Sequence, residues 1–244
     1  VHVVAKSTVT DNWRNTKFSS TYSYHHGYFD GIEREFRGFG RVEQVDVESY
    51  GIFASGNAAS PYITDDQMLY QPPIKTVTWF HTGAFLDRER ILSQFKEEYF
   101  PNWFEGQRPD ERNVLGDFRE NDLPEPDLDA AGLSSEEWRE ALRACKGMML
   151  RQEVYELDVD AQMAGEGHPL KLFSTAYHNS HIRRLQPRGA NCYAVFLVTE
   201  SEAITYNYEL DLRSETLPKD PRVADTPSLN IDGYGNVLQY IADD

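Results

Sequence analysis

Hydrophobic and polar residues alternate with period two along most of the chain. In residues 18–25, Phe18, Tyr22 and Tyr24 fall on one side and Ser19, Thr21 and Ser23 on the other, the pattern of a half-buried strand. The preceding VHVVAKSTVT (1–10) is rich in β-branched residues and reads as a strand, with Asp11, Asn12 and Asn15 supplying a polar turn. HHGYFDG (25–31) carries an Asp-Gly pair and predicts a hairpin reversal. The return strand, residues 32–47, changes parity. Phe36 and Val42 share one face, Val45 and Val47 the other, and Gly38 and Gly40 lie between, where a bulge absorbs the change. Residues 51–73, with Gly51, Gly56, Pro61, Pro72 and Pro73, read as a loop crossing. Residues 74–81 return to strand and are apolar on both sides, which predicts burial on both faces.

The middle has a different period. Ile91, Leu92, Phe95 and Tyr99 fall on one face of a helix over 87–99. Residues 101–132 mix Pro101, Pro109, Pro124 and Pro126 with acidic residues and read as a surface excursion. In LSSEEWREALRACKG, Ser134 and Glu137 have capping-box spacing, and Trp138, Ala141, Leu142 and Cys145 form a helical stripe that Gly147 ends. Cys145 is thereby expected to pack inward.

Strand character then resumes. Glu153, Tyr155, Leu157 and Val159 alternate with Val154, Glu156 and Asp158. Residues 191–199 are strongly apolar, 200–202 are polar, and 203–213 alternate again, which predicts a hairpin over 192–213. Asp232, Gly233, Gly235 and Asn236 turn the chain into a last short strand, 237–241. The expected fold is mainly β, built of long antiparallel hairpins, with a small inserted helical region. Three stretches follow: a hairpin segment over 1–82, a helical and acidic-loop insert over 83–147, and a hairpin segment over 148–244. Phe36 and Tyr206 are expected to be buried aromatics. Val1 and Asp244 read as cut points in something longer.

Composition narrows the function. Twenty-four basic and 40 acidic residues give a net charge of −16, a field that repels phosphate and argues against nucleic acid and anionic membranes as partners. His181, Arg183, Arg184 and Arg188 are the densest basic cluster and read as a solvated loop. No apolar run approaches the ~18 residues of a membrane span. Fourteen Tyr, 13 Phe and 16 Gly are the materials of strands and turns.

Candidate chemistry is thin. His178 and His181 (H-x-x-H) need a helix to align as metal ligands, and their neighbours read as loop. His25–His26 sits in a hairpin approach. Glu33 and Glu35 resemble an acid/base pair, but Arg34 and Arg37 nearby favour solvated charge pairing. Cys192, set against His178 or His181 as a nucleophile pair, instead opens an apolar strand and reads as a buried thiol. Phosphate-loop and nucleophile-elbow motifs are missing. No catalytic, cofactor-binding or metal residue is assigned, and no cofactor is expected.

Three long motifs add a resemblance. YSYHHGYFDGIEREFRGFGRVEQ (22–44), HIRRLQPRGANCYAVFLVTESEAITYNYELD (181–211) and DPRVADTPSLNIDGYGNVLQ (220–239) resemble, in this order, the middle region of the B component of the insecticidal Tc toxins. The segments around TVTWFHTG and WREALRACKG fit it too. The resemblance implies a secreted bacterial toxin complex. In that family the B component carries a β-propeller that docks on the pore-forming A component, and it joins the C component in a hollow shell of Rhs/YD-type strands around a cytotoxic effector. The chain is then a non-enzymatic shell segment, with the rest of the B component and the C component as direct partners and the A component as an indirect one. The alternative is a binding module that contacts the A component or a host glycan through the helical insert, and an exposed patch of Trp103, Phe104 and Phe118 would mark it.

Overall fold

The alternating segments pair into one sheet. A computed structural model describes residues 1–46, 57–61, 72–100, 126–128, 132–213 and 221–242. Its strands are β1 (Lys6–Asp11), β2 (Thr16–Asp30), β3 (Glu35–Val45), β4 (Ile74–Phe80), β5 (Asp127–Leu128), β6 (Met149–Leu157), β7 (Pro169–Gln186), β8 (Val195–Asp211), β9 (Arg222–Ile231) and β10 (Val237–Tyr240). Among the described residues they form a ten-stranded sheet in the order β1-β2-β3-β4-β6-β7-β8-β9-β10, with the two residues of β5 added in parallel to β7. All other pairings are antiparallel. The fold is mainly β, as the alternation predicts.

Local chemistry sets the turns. Asp11 Oδ1 accepts from the backbone N–H groups of Trp13 (2.9 Å) and Arg14 (3.1 Å), which closes the β1–β2 turn. Asp30 Oδ1 does the same for Ile32 (2.9 Å) and Glu33 (3.0 Å), so the β2–β3 reversal occupies 31–34, later than HHGYFDG suggests. The bulge expected near Gly38 is present. Gly27 faces Phe39 and Phe29 faces Phe36, so β3 holds one residue more than β2 there, and Gly38 has φ +92.

The hairpin expected over 192–213 does not form. β8 runs unbroken through residues 200–202 and pairs with β7. Asn179 faces Glu202 while Ser180 faces Glu200, so Ser201 is taken up as a bulge. Glu200 is polar because it pairs with His178 across the ladder (2.5 Å), and no reversal is needed to explain it. The hairpin is therefore β7–β8, turning at 187–194, and the polar run HNSHIRR read as a loop is strand. Val159 likewise leaves the alternation of β6 and starts a short helix, Val159–Met163, capped by Asp158.

Two longer helices pack on this sheet. Helix α1 (Arg88–Glu98) buries Phe95, and Tyr99 and Phe100 just beyond it join Val77, Trp79, Tyr155, Leu172 and Leu210 in the main core. The Trp79 and Tyr99 rings meet edge to face at 4.8 Å. Helix α2 (Ser135–Ala144) has the predicted capping box: Ser134 Oγ accepts from Glu137 N, and Glu137 Oε2 accepts from Ser134 N (3.0 Å). Its Ala141 and Cys145 are fully buried against Ile182, Phe196 and Val198. The inward position of Cys145 is the expected one, and burial pushes its thiol up to about 12. Phe36 and Tyr206 are only partly buried, contrary to expectation; Trp79, Tyr99, Phe100 and Tyr155 fill the core in their place. Ser134→Ala is expected to lose about 1 kcal/mol of stability in chemical denaturation, the usual cost of an N-cap.

β4 and β6 are adjacent although the chain between them runs from residue 81 to 148. His81 N donates to Met148 O and Gly147 N to His81 O, both at 2.9 Å, closing the base of that excursion. Burial lowers the His81 imidazole to about 4. Gly40 marks the tightest approach of α1 to the sheet, since a Cβ there would stand 2.4 Å from Phe95 Cζ. Phe95 is 1% exposed and has nowhere to move. Gly40→Ala is expected to cost about 1–3 kcal/mol by overpacking, read as a lowered denaturation midpoint with unchanged slope.

Candidate functional site

A cleft of about 360 Å³ opens beside α1, lined by Arg41, Glu43, Lys75, Trp79, Glu98 and Tyr155 among others. Period two brings the sheet residues to one face: His25 faces Arg41 across β2–β3, and Arg41 faces Trp79 across β3–β4. Their charges pair with one another. Arg41 donates to Glu98 and Glu43 (2.9 Å each), Lys75 lies 2.7 Å from Glu43, and His26 Nε2 lies 2.7 Å from Glu98 Oε1. Trp79 Nε1 adds a bond to Glu98 (3.3 Å). Burial pushes the Glu43 carboxyl up, but Lys75, Arg41 and His25 outweigh it and hold the group below its ordinary range. Burial and the neighbouring Arg41 charge lower the His25 imidazole. His25–His26 is thus part of a salt-bridged tie between β2, β3 and α1.

Below it lies a pair that sequence reasoning passed over. Arg151 and Glu153, at 0% and 1% exposure, lie two apart on β6 and share a face. Arg151 Nε donates to Glu153 Oε1 (2.8 Å), Arg151 Nη2 to Phe100 O (2.9 Å), and the guanidinium covers the Tyr99 ring. Glu153 also accepts from Phe100 N (2.8 Å) and Tyr155 Oη (2.5 Å). This network joins the end of α1 to the centre of the sheet. The only hint in the sequence is an Arg and a Glu on the apolar parity of residues 151–157.

The residues singled out from sequence are scattered. Glu33 lies in the β2–β3 turn and Glu35 starts β3, so they are not two positions of one strand face. They do form charge pairs, but chiefly with α2: Glu33 with Arg139 (3.0 Å), Glu35 with Arg143 and Lys146 (3.1 Å each). Arg37 is buried, pairs with Asp30 (2.7 Å) and lies 3.6 Å from Glu35, the neighbour pairing that the sequence suggests. His178 and His181 sit on β7, where a separation of three sends them to opposite faces. His178 is paired with Glu200. Among the described residues no group of three or more His, Cys, Asp or Glu is placed to hold a metal ion. Cys192 is exposed in the β7–β8 turn, not buried in a strand. Arg184 and Arg188 are not simply solvated. Glu137 Oε1 accepts from Arg184 Nη1 (3.2 Å) and Arg188 N (2.9 Å), and Arg188 Nη1 meets Glu136 (2.8 Å), so α2 pins that turn. Trp103, Phe104 and Phe118 lie outside the described residues.

Four carboxyls in these ties sit below their ordinary range. For Glu137 the cause is hydrogen bonds from Arg188 N and Ser134 N; for Glu35, the bond from Lys146. For Asp30 and Glu43 the surrounding donors and cations outweigh burial. A depressed folded value contributes stability above the unfolded pKa, and that stability is lost as pH falls through the folded one. The stability contributed by these ties is therefore expected to hold at neutral pH and fall away below the ordinary values of 3.8 for Asp and 4.5 for Glu, seen as a denaturation midpoint that drops with acid in that window.

Similarity to known proteins decides the family. Residues 140–242 match the family described as insecticide toxin TcdB middle/C-terminal region, and residues 1–69 match the TcdB middle/N-terminal region. The chain belongs to the Tc toxin B-component family. Solved structures agree on the fold of this Tc B-component region. A crystal structure of TcdB2-TccC3 without its hypervariable C-terminal region superposes with a TM-score of 0.64 at 23% identity, covering 99% of this chain and 10% of that one. The crystal structure of TcdB2-TccC3 gives 0.62 at 23%, covering 97% and 10%. A Photorhabdus luminescens Tc holotoxin pore gives 0.55 at 25%, covering 94% and 9%. The chain thus spans about a tenth of the length of these relatives. None of the curated proteins matches it. Among the described residues no helix is long and apolar enough to cross a membrane.

Proposed function

We propose that this segment is a wall element of the B component. In this reading it builds, with the rest of that component and the C component, a hollow β-shell that encloses a cytotoxic effector for delivery by a secreted complex. It performs no chemistry, binds no cofactor and reaches the A component only indirectly. One observation carries the reading: Arg41, Glu43, Lys75 and Glu98 in the cleft beside α1, and the charged groups at the hairpin turns, are spent on joining sheet, helices and turns to one another. A catalytic site needs groups left free to meet a substrate.

The outer strands support the same reading. Val9, Trp13 and Phe18 at one end of the sheet, and Tyr234, Leu238 and Tyr240 at the other, are exposed. Open apolar edges of this kind are an aggregation hazard unless neighbouring chain covers them. We also infer that residues 83–147 are an insert between the hairpin segments 1–82 and 148–244. The direct pairing of β4 with β6 and the hydrogen bonds closing residue 81 onto residues 147 and 148 support this. Cryo-electron microscopy of the assembled B–C complex tests the proposal. The expected map has β1 and β10 hydrogen-bonded to flanking strands of a closed wall. A separate domain outside the shell, with both edges open, would overturn it.

A further inference from the structure

β9 is fastened to the sheet over a short stretch. Its ladder with β8 runs from Glu202↔Pro227 to Asn207↔Arg222, and among the described residues it pairs beyond Pro227 with β10 alone. The β9–β10 hairpin then folds back over the β7–β8 face. Arg183 Nη2 donates to the carbonyls of Asp232 (3.1 Å) and Gly233 (2.9 Å). A Cβ on Gly235 would lie 3.4 Å from Thr199 Cγ2 and 3.7 Å from Leu197 Cδ1. A cleft of about 250 Å³ remains beneath, lined by Asp127, His181, Arg183, Thr199 and Ser201 among others.

The register gathers like charges where that ladder begins. Glu202 faces Asn179, two positions from His181 on one face of β7, and Asp127 of β5 faces His181. Asp225 faces Ile204, two positions from Glu202, so it projects on the same side. Glu202, Asp225 and Asp127 are thus brought together from three strands, and among the described residues none of the three has a cationic partner. Among the described residues Asp225 Oδ1 and Ser201 Oγ are buried without a hydrogen-bond partner. The cation on this face, Arg183, gives its guanidinium to the hairpin carbonyls. Arg222 of β9 is an odd number of residues from Asp225 and leaves from the opposite face, and Glu200 of β8 is engaged with His178.

We propose that the β9–β10 hairpin is an acid-tightened flap, with Glu202, Asp225 and Asp127 as its sensor and the cleft beneath it as the space that closes. At neutral pH the carboxylates repel across the ladder that joins β9 to β8. A proton taken up by one lets it donate to its neighbour, and the repulsion becomes a hydrogen bond. Burial first, then the Asp225 and Asp127 charges, raise the Glu202 carboxyl above its ordinary 4.5. A raised acid favours the folded contact below its folded value and disfavours it as pH rises through that value, so the hairpin's hold strengthens as pH falls toward 4.5 from above.

The inference rests on the hairpin geometry and not on the shell reading. Its test is hydrogen exchange, followed by mass spectrometry, on the intact B component at about pH 7 and about pH 5.5 after correction for intrinsic rates. In the wild type, amides of residues 222–231 are expected to open several-fold less often at the lower pH, while amides of β7 hold steady as the internal standard. The combined variant Glu202→Gln, Asp225→Asn, Asp127→Asn is expected to open rarely at both pH values, and Glu209→Gln, an exposed carboxylate on the same strand, to behave as wild type. Corrected exchange of residues 222–231 that ignores pH in the wild type overturns the proposal. So does a combined variant that keeps the wild-type dependence with β7 still protected.

Discussion

Replacing Arg151 by Leu is expected to destabilise the protein by about 3–5 kcal/mol, as is replacing Glu153 by Leu, while the double replacement costs clearly less than the sum. Both side chains are almost wholly removed from water, and each neutralises the other at 2.8 Å. Removing one leaves an uncompensated charge in the core, in a place where water cannot follow. Removing both leaves only the hydrogen bonds to Phe100 and the Tyr155 hydroxyl to be replaced by packing. Chemical denaturation of the four proteins in the cycle gives the answer. Two small losses that add would show that water reaches the pair and that it does not anchor α1 to β6.

Trp79→Ala carries the second large effect, about 3–5 kcal/mol. Trp79 is 1% exposed, stacks edge-on with Tyr99 and ties its indole N–H to Glu98, so its removal empties the junction between α1 and the sheet. Phe36→Ala is expected to cost much less because that ring remains partly in water. Thermal unfolding of both variants under one condition checks the ranking, and equal losses would contradict the assignment of the core.

The difference between these two aromatics shows what period-two patterning conveys. Alternation identifies strands and their faces, and it located β2, β3 and β4, while the helical period located both long helices and turn residues located β10. It says less about which face becomes deeply buried, because that depends on where α1 lands, and α1 lands over Trp79 and not over Phe36. Polar residues misled at 178–186 and 200–202 for a related reason. His178 and Glu200 are a cross-strand pair, so each looks like loop chemistry alone and like a ladder together. Arg151 and Glu153 were hidden in the same way, since a buried ion pair looks in sequence like two solvent-facing positions. The acidic face of Glu202, Asp225 and Asp127 joins strands far apart in the chain, and no local pattern announces it.

The function proposed for this Tc B-component segment is to hold a container together without doing chemistry. The direct measurement is cell killing per mole of assembled A–B–C complex, for a B component carrying His168→Asn, His178→Asn, Glu97→Gln and Cys192→Ser together. These changes remove reactive or titratable groups outside the described core and leave the Arg151–Glu153 pair and the Glu43 and Glu98 ties in place. Normal assembly with wild-type killing is the predicted result. Normal assembly with killing or effector release abolished would contradict the account.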